Sequence, residues 1–217
     1  MTNFDSTYFD SSRRRFLALS VASVACFALP GAGLASAEDP TARIQAFYDV
    51  LLDTMKQGQQ LGVQGRFDKM LPAVAATYDI PAMTRIACGP DWNKIPADKQ
   101  QALIDAFGRM SAAIYADRFT KFSGQRFEVN PTPIAHNADM VVTTKLVPND
   151  GDPVALNYLM RGPTGDMKVV DVFLDGSISE LATRRSEFSG VLKSDGADAL
   201  LARIKDRADK ILKGTAS

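Results

Sequence analysis

The feature that most constrains the fold is a pair of neighbouring segments, residues 140–147 and 154–161, whose side chains follow a period of two. This period is typical of β-strands, in which successive side chains point to opposite faces of a sheet. The turn PNDGDP between the segments contains Asp150-Gly151, a dipeptide that favours a tight hairpin. A second turn, RGPTGD, leads into a third segment, residues 167–175. Short turns between neighbouring strands predict an antiparallel sheet.

The first part of the chain follows a helical period instead. Asp39 can cap a helix that has Pro40 at its first position. Apolar residues then recur at three- and four-residue steps, namely Ile44, Phe47, Leu51 and Met55. A break is predicted at residues 58–62, followed by a second helix in which Pro72 introduces a kink or shifts the start.

Two more helices are predicted before the strands. Asp79 and Pro81 open a short helix that ends near Gly89. The longest helix is predicted over residues 96–122, with an apolar stripe formed by Leu103, Phe107, Met110, Ile114 and Phe122. We expect this stripe to pack against the core of the protein.

Helices are predicted again after the third strand. Ser177 and Glu180 form an S-x-x-E capping box, which predicts a helix start. Asp195-Gly196 breaks that helix, and a last helix follows. The order of helices, strands and helices predicts an α+β fold, with helices on one face of a curved antiparallel sheet.

Residues 1–37 have the three parts of a secretory signal peptide. Arg13-Arg14-Arg15 precedes a short apolar stretch that ends at Leu29, and Ala35-Ser36-Ala37 is a cleavage site of the A-x-A type. The run S-R-R-x-F-L also resembles the twin-arginine export signal, although ordinary secretion stays open. A buried helix or a lipoprotein signal at Cys26 would each account for part of the same pattern. We predict a cleaved signal peptide over residues 1–37, a single domain over residues 38–217 and export of the mature protein; the periplasm as its location is what the family resemblance described below implies.

Charge and residue inventory exclude several classes of protein. Removal of residues 1–37 would take away three arginines and two aspartates, leaving 180 residues with 22 basic and 23 acidic side chains. This balance gives no general attraction to nucleic acid. Cys88 and His136 would be the only cysteine and the only histidine left, so no internal disulfide, cysteine–histidine metal cluster or Ser-His-Asp triad is expected. We predict no cofactor and no metal.

Asp171 and Asp175 are the most conspicuous candidates for catalysis. Their spacing places them on one face of a strand, about 13 Å apart along the backbone, which is too far for a typical carboxylate pair. Val170, Val172 and Leu174 would occupy the opposite face, towards the helices. We therefore predict solvated or locally paired aspartates, no catalytic residue and no enzyme. Arg184-Arg185 is expected on an exposed helix face.

Several motifs, in order and spacing, carry a resemblance to a known family. KVVDVFLDGSISELATRRSEFSGVL, followed by DGADALLARI, resembles the C-terminal signature of the MlaC family of periplasmic lipid carriers. YDIPAMTRIACGPDW, YADRFTKFSG and PVALNYLMR are similar to its upstream segments, so the resemblance covers residues 40–212. Further details resemble the HpnM branch, associated with hopanoids. Departures at residues 175–179 and 182–184 leave the lipid open between phospholipid and hopanoid.

The resemblance implies a single-domain, NTF2-like carrier whose internal cavity takes acyl or polycyclic hydrocarbon. It implies that the protein shuttles lipid between the outer and inner membranes. The implied partners are an inner-membrane MCE/ABC-type transporter and an outer-membrane lipoprotein or RND-type protein. On the strand and helix patterns we predict that the cavity is lined by Met140, Val142, Leu156, Tyr158, Met160, Val172 and Leu174, faced by Leu103, Phe107, Met110 and Ile114.

Two further classes of function stay open. An NTF2-like isomerase or dehydratase would need an acidic residue or a histidine inside the cavity. A protein-binding adaptor would have a filled core, without a pocket of the roughly 300–1,000 Å³ that ligands occupy.

Overall fold

The computed structural model describes residues 39–214, so the predictions on residues 1–37 lie outside the described residues. The helices are α1 (Pro40–Lys56), α2 (Gly58–Thr77), α3 (Ile80–Cys88), α4 (Ala97–Arg118) and α5 (Glu180–Leu212). A short 3₁₀ helix, Gly89–Lys94, joins α3 to the next segment. The strands are β1 (Arg126–Val129), β2 (Ile134–His136), β3 (Asp139–Val147), β4 (Val154–Arg161), β5 (Lys168–Leu174) and β6 (Ile178–Ser179).

The caps predicted for two helices are present. The side chain of Asp39 accepts a hydrogen bond from the backbone of Thr41 at 3.1 Å, and α1 begins at Pro40. The side chain of Asp79 accepts one from the backbone of Ala82 at 2.9 Å. Helix α3 ends at Cys88 and is followed by the capping residue Gly89, whose φ of +67° is easily adopted only by glycine. Local capping residues thus determine where these helices begin and end.

The predicted breaks fall at glycines with positive φ. The backbone leaves the helical conformation at Gly62, where φ is +60°, and at Gly196, where φ is +82°. Pro72 lies inside α2 and contributes no backbone donor there. Helix α4 ends at Arg118, four residues before the predicted end at residue 122.

The capping box predicted for Ser177 and Glu180 is wrong. Ser179 is the capping residue, and its hydroxyl accepts the backbone N–H of Ala182 at 2.8 Å. The physical reason is a short strand: Ile178 and Ser179 pair with the end of β5, so the chain cannot begin a helix at Ser177. Helix α5 therefore begins two residues later than the box predicts.

The strands form one antiparallel sheet in the order β1-β3-β4-β5-β6, with β2 also paired to β3. Val142 pairs with Tyr158, and Tyr158 pairs with Val172, so these residues share a face. All three are buried, and α1, α3 and α5 pack against the sheet. The predicted α+β class and antiparallel sheet are confirmed.

A register shift on β4 and β5 changes which residues share the buried face. Leu159 pairs with Asp171, but Met160 pairs with Val169, so one residue of β5 is extra at this point. Val169 therefore continues the row of Tyr158 and Val172, while the prediction placed Val170 there. Within residues 39–214, no helix is both long and apolar enough to cross a membrane.

Candidate functional site

A cavity of about 150 Å³ lies between the helices and the buried face of the sheet. Its apolar lining comes from all five helices or the residues beside them and from three strands: Leu51, Val74, Met83, Phe107, Ile114, Phe119, Phe127, Leu156, Val172, Leu174 and Leu181. A volume of this size holds about one benzene ring, and it is smaller than the roughly 300–1,000 Å³ of a typical ligand pocket.

The cavity wall includes six of the eleven residues predicted to line it: Phe107, Ile114, Leu156, Tyr158, Val172 and Leu174. Leu156 pairs with Leu174 and Tyr158 pairs with Val172, so the strand residues form two adjacent rows at one end of the sheet. The helical residues come from the middle and second half of α4. The strand period therefore identified the inward face, but it did not show how far along that face the cavity extends.

The other five predicted residues lie outside the lining. Leu103, Val142 and Met160 are fully buried in the packed core. Met110 is also buried and borders a separate surface pocket beside Phe188. Met140 is half-buried and pairs with Met160, at the end of β3 away from Leu156. Leu103, Val142 and Met160 therefore belong to the close-packed interior, in which few voids remain.

Four tyrosines from four parts of the chain form a cluster in the cavity wall, which we call the tyrosine cluster: Tyr48, Tyr78, Tyr115 and Tyr158. The hydroxyl of Tyr48 lies 2.9 Å from that of Tyr158 and 2.6 Å from that of Thr144. The hydroxyls of Tyr78 and Tyr115 form a second hydrogen-bonded pair. The hydroxyl of Thr144 also donates to the backbone carbonyl of Leu156 at 2.6 Å. The cluster therefore places uncharged polar groups inside a mostly apolar wall.

Burial raises the pKa of all four phenols. Loss of solvation raises the pKa of Tyr115 to about 12. The same cause raises the pKa of Tyr48, Tyr78 and Tyr158 above the usual range. A phenolate would be poorly solvated in this wall. The four phenols are therefore protonated at neutral pH and act as hydrogen-bond donors.

Aromatic contacts fix the orientation of the cluster. Tyr48 stacks on Phe127 with 4.1 Å between ring centroids. Phe47 meets Tyr78 and Tyr115 edge-on, with centroids 5.5 and 5.1 Å away. Sequence reasoning identified Tyr158 but missed Tyr48, Tyr78 and Tyr115. Tyr48 follows Phe47 beside the apolar stripe of α1, and this position is the one sequence signal that indicates its burial.

Charged residues also reach the cavity wall. Arg184 is buried, and its guanidinium lies 2.8 Å from the carboxylate of Glu187 and 3.9 Å from that of Glu180. The prediction of an exposed face holds for Arg185 but is wrong for Arg184, because the start of α5 turns Arg184 towards the sheet. Glu180 and Arg118 also belong to the lining, and the sequence pattern indicated neither.

Asp171 and Asp175 do not share a strand face as predicted. Asp171 lies in β5 and is buried, with its carboxylate accepting hydrogen bonds from the backbone of Val172 and Leu181 at 2.7 and 3.0 Å and from the hydroxyl of Ser179 at 2.6 Å. Asp175 is exposed in the following turn, at a φ of +48°. Neither belongs to the cavity lining. Asp171 instead ties the end of the sheet to the start of α5.

The remaining titratable candidates lie away from the cavity. Cys88 is buried, and burial raises the pKa of its thiol to about 11. His136 is exposed on β2. Across residues 39–214 no group of three or more histidine, cysteine or acidic side chains is arranged to hold a metal ion.

Comparisons with known proteins agree with this geometry. The model of the MlaC family, described as "MlaC protein", matches residues 45–206. Among solved structures, the chain is similar to the phospholipid-binding protein from Ralstonia solanacearum, determined in complex with a phospholipid at 1.53 Å resolution. That structure shares 25% sequence identity, covers 80% of this chain and 99% of its own, and has a TM-score of 0.69. The likeness supports the arrangement of helices and sheet described above.

Proposed function

The chain belongs to the MlaC family, and from this membership we propose that it is a periplasmic carrier that binds a lipid in the cavity between its helices and its sheet. The observation that carries the proposal is the apolar wall of that cavity, in a fold similar to that of a phospholipid-binding protein. Burying one CH₂ group stabilises a complex by about 0.8 kcal/mol, so a 16-carbon chain gains on the order of 12 kcal/mol before ordering costs. An apolar cavity therefore provides the favourable surroundings for a lipid chain that water does not.

The size of the cavity adds a condition to this proposal. At about 150 Å³ it accommodates only part of a lipid chain. A bound lipid therefore requires that the helices move away from the sheet or that part of the chain stays outside. The same observation favours a second candidate, an adaptor that binds proteins and no lipid, because such a protein needs no larger cavity.

We propose that the eleven predicted residues fall into two groups, according to whether they contact the lipid in the cavity as it stands. The six in the wall, Phe107, Ile114, Leu156, Tyr158, Val172 and Leu174, contact the lipid directly. The other five, Leu103, Met110, Met140, Val142 and Met160, contact it only if the cavity widens towards the far end of the sheet. Methionines would suit such a change, because their flexible side chains fill irregular spaces.

Export, partners and lipid class complete the proposal. We propose that residues 1–37 are a cleaved signal peptide and that residues 38–217 act in the periplasm as one domain. We also propose an inner-membrane MCE/ABC-type transporter as a partner, with an outer-membrane lipoprotein or RND-type protein as a second. The motifs that resemble the HpnM branch favour a hopanoid-type lipid, while the Ralstonia structure favours a phospholipid.

Native mass spectrometry of the mature protein, purified without detergent, tests the proposal. We expect a species heavier than the bare chain by the mass of a lipid, and extraction would distinguish phospholipid from hopanoid. A bare mass in repeated preparations, together with no uptake of lipid from vesicles, would favour the adaptor and contradict lipid transport.

A further inference from the structure

The tyrosine cluster is more polar than a hydrocarbon ligand requires. A purely aliphatic chain gains its binding energy from apolar contact alone. Yet Tyr48 and Tyr158, which are 0% and 2% exposed, bring hydroxyl groups into the cavity wall together with Tyr78 and Tyr115. Burying a hydroxyl costs free energy unless it is hydrogen-bonded. The four phenols therefore offer a ligand hydrogen bonds that a plain hydrocarbon chain cannot use.

The cluster carries one more hydroxyl proton than its short hydrogen bonds use. The four tyrosines and Thr144 carry one hydroxyl proton each. Four hydrogen bonds are described among them or to the carbonyl of Leu156, and each uses one proton. The fifth proton belongs to Tyr78 or Tyr115, and it is available to the phenol oxygen of Tyr158, with which both interact, or to an oxygen atom inside the cavity. Each phenol oxygen can also accept more than one hydrogen bond.

We propose that the tyrosine cluster is a hydrogen-bonding subsite for one uncharged oxygen atom, that of a hydroxyl or carbonyl group on an otherwise apolar ligand. The oxygen is uncharged because the hydrogen-bond partners of the cluster are hydroxyl groups and a carbonyl. Arg118 and Arg184 lie in the same cavity wall, but among the described residues neither is hydrogen-bonded to a hydroxyl of the cluster, and Arg184 is paired with Glu187. The inference rests on the proposed function and narrows it. It favours a lipid with oxygen on its buried hydrocarbon end over a lipid with plain acyl chains.

Two small probes test this subsite without any change in the cavity. p-Cresol and p-xylene differ only by a hydroxyl in place of a methyl group, and each has one ring, which suits about 150 Å³. The quantity to compare is the ratio of their dissociation constants, measured by NMR titration of the mature protein. Taking this ratio removes general effects of a substitution on the cavity.

The variants Tyr158→Phe and Tyr115→Phe each remove one hydroxyl and keep the ring. We expect both to shift the ratio against p-cresol, on the order of fivefold, because one neutral hydrogen bond is lost. Thr84→Val is the matched control, since Thr84 has a fully buried hydroxyl that bonds to the carbonyl of Ile80 outside the cavity lining. This control should leave the ratio unchanged. If Tyr158→Phe does not fold, Tyr115→Phe carries the test alone.

Two results would overturn the inference. If both probes bind and neither tyrosine variant changes the ratio, the cluster is only structural, while lipid binding in the cavity stands. If neither probe binds the unaltered protein, the subsite does not exist. Lipid binding itself fails only if the native mass spectrum also shows a bare chain.

Discussion

The hydroxyl of Tyr48 on α1 lies 2.9 Å from the hydroxyl of Tyr158 in the middle of the sheet. These residues are 110 positions apart in the chain, and their contact joins the first helix to the central strand. Both rings are buried beside the cavity, so the bond forms where the helical layer meets the sheet. The contact therefore links the stability of the fold to the geometry of the proposed site.

We expect Tyr48→Phe to lower the free energy of unfolding by about 1–2 kcal/mol, because it removes hydrogen bonds to Tyr158 and Thr144 in a buried place. The ring and its stacking on Phe127 would remain. Tyr48→Ala removes both and should cost roughly 3–5 kcal/mol. Urea denaturation followed by circular dichroism measures the difference, and a Tyr48→Phe variant as stable as the unaltered protein would show that the hydroxyl contributes nothing.

Asp171→Ala should destabilise the protein by at least about 2 kcal/mol, since it leaves the backbone donors of Val172 and Leu181 and the hydroxyl of Ser179 without their acceptor. Asp175→Asn is the matched control. Asp175 is exposed at a positive φ that asparagine also adopts, so its change should stay within about 0.5 kcal/mol. Similar unfolding midpoints for the two variants would contradict the assigned role of Asp171.

Val172→Phe should reduce the amount of lipid that copurifies with the protein, because the larger side chain fills part of a cavity of only about 150 Å³. Leu159→Phe adds bulk to β4 outside the cavity lining and serves as the control. Quantitative lipid extraction from both variants makes the comparison. Undiminished lipid in a folded Val172→Phe protein would place the binding site elsewhere.

Stability should fall at alkaline pH because of the tyrosine cluster. In the unfolded chain a phenol ionises near its usual pKa of 10.0, whereas burial raises the pKa of Tyr115 to about 12 and also raises the pKa of Tyr78 and Tyr158. The folded state thus holds these protons more tightly. The stability that the folded state gains from this difference in pKa is complete below pH 10 and is lost as the pH rises through about 12.

Tyrosinate absorbance and circular dichroism, recorded together against pH, measure this effect. We expect the absorbance of the buried phenols to rise only as the fold is lost. Ionisation of all the tyrosines near pH 10 in a protein that keeps its native circular dichroism would contradict the assigned burial.

The sequence identified those elements whose signals lie within a few residues of one another. Asp39 and Asp79 begin their helices as predicted, and Gly89 ends one, because each cap bonds to a backbone group two to four residues away. The Asp150-Gly151 turn similarly specified the hairpin of β3 and β4. Ser177 shows the limit of such signals, since pairing of Ile178 and Ser179 with β5 overrides the local capping pattern.

The tertiary structure alone decided which residues form the cavity. The period of two placed Leu156, Tyr158, Val172 and Leu174 on the inward face, but Met140 and Met160 on that face lie outside the lining. Tyr48 meets Thr144 across 96 positions of the chain, and no local pattern specifies that distance. The sequence by itself therefore determined the long helices, the strands β3, β4 and β5, the α+β class and the family resemblance, because periodicity, caps and motifs act over short stretches. The short strands β1, β2 and β6 became evident only in the tertiary structure. The cavity wall depends on where each helix crosses the sheet, which close packing between distant segments sets.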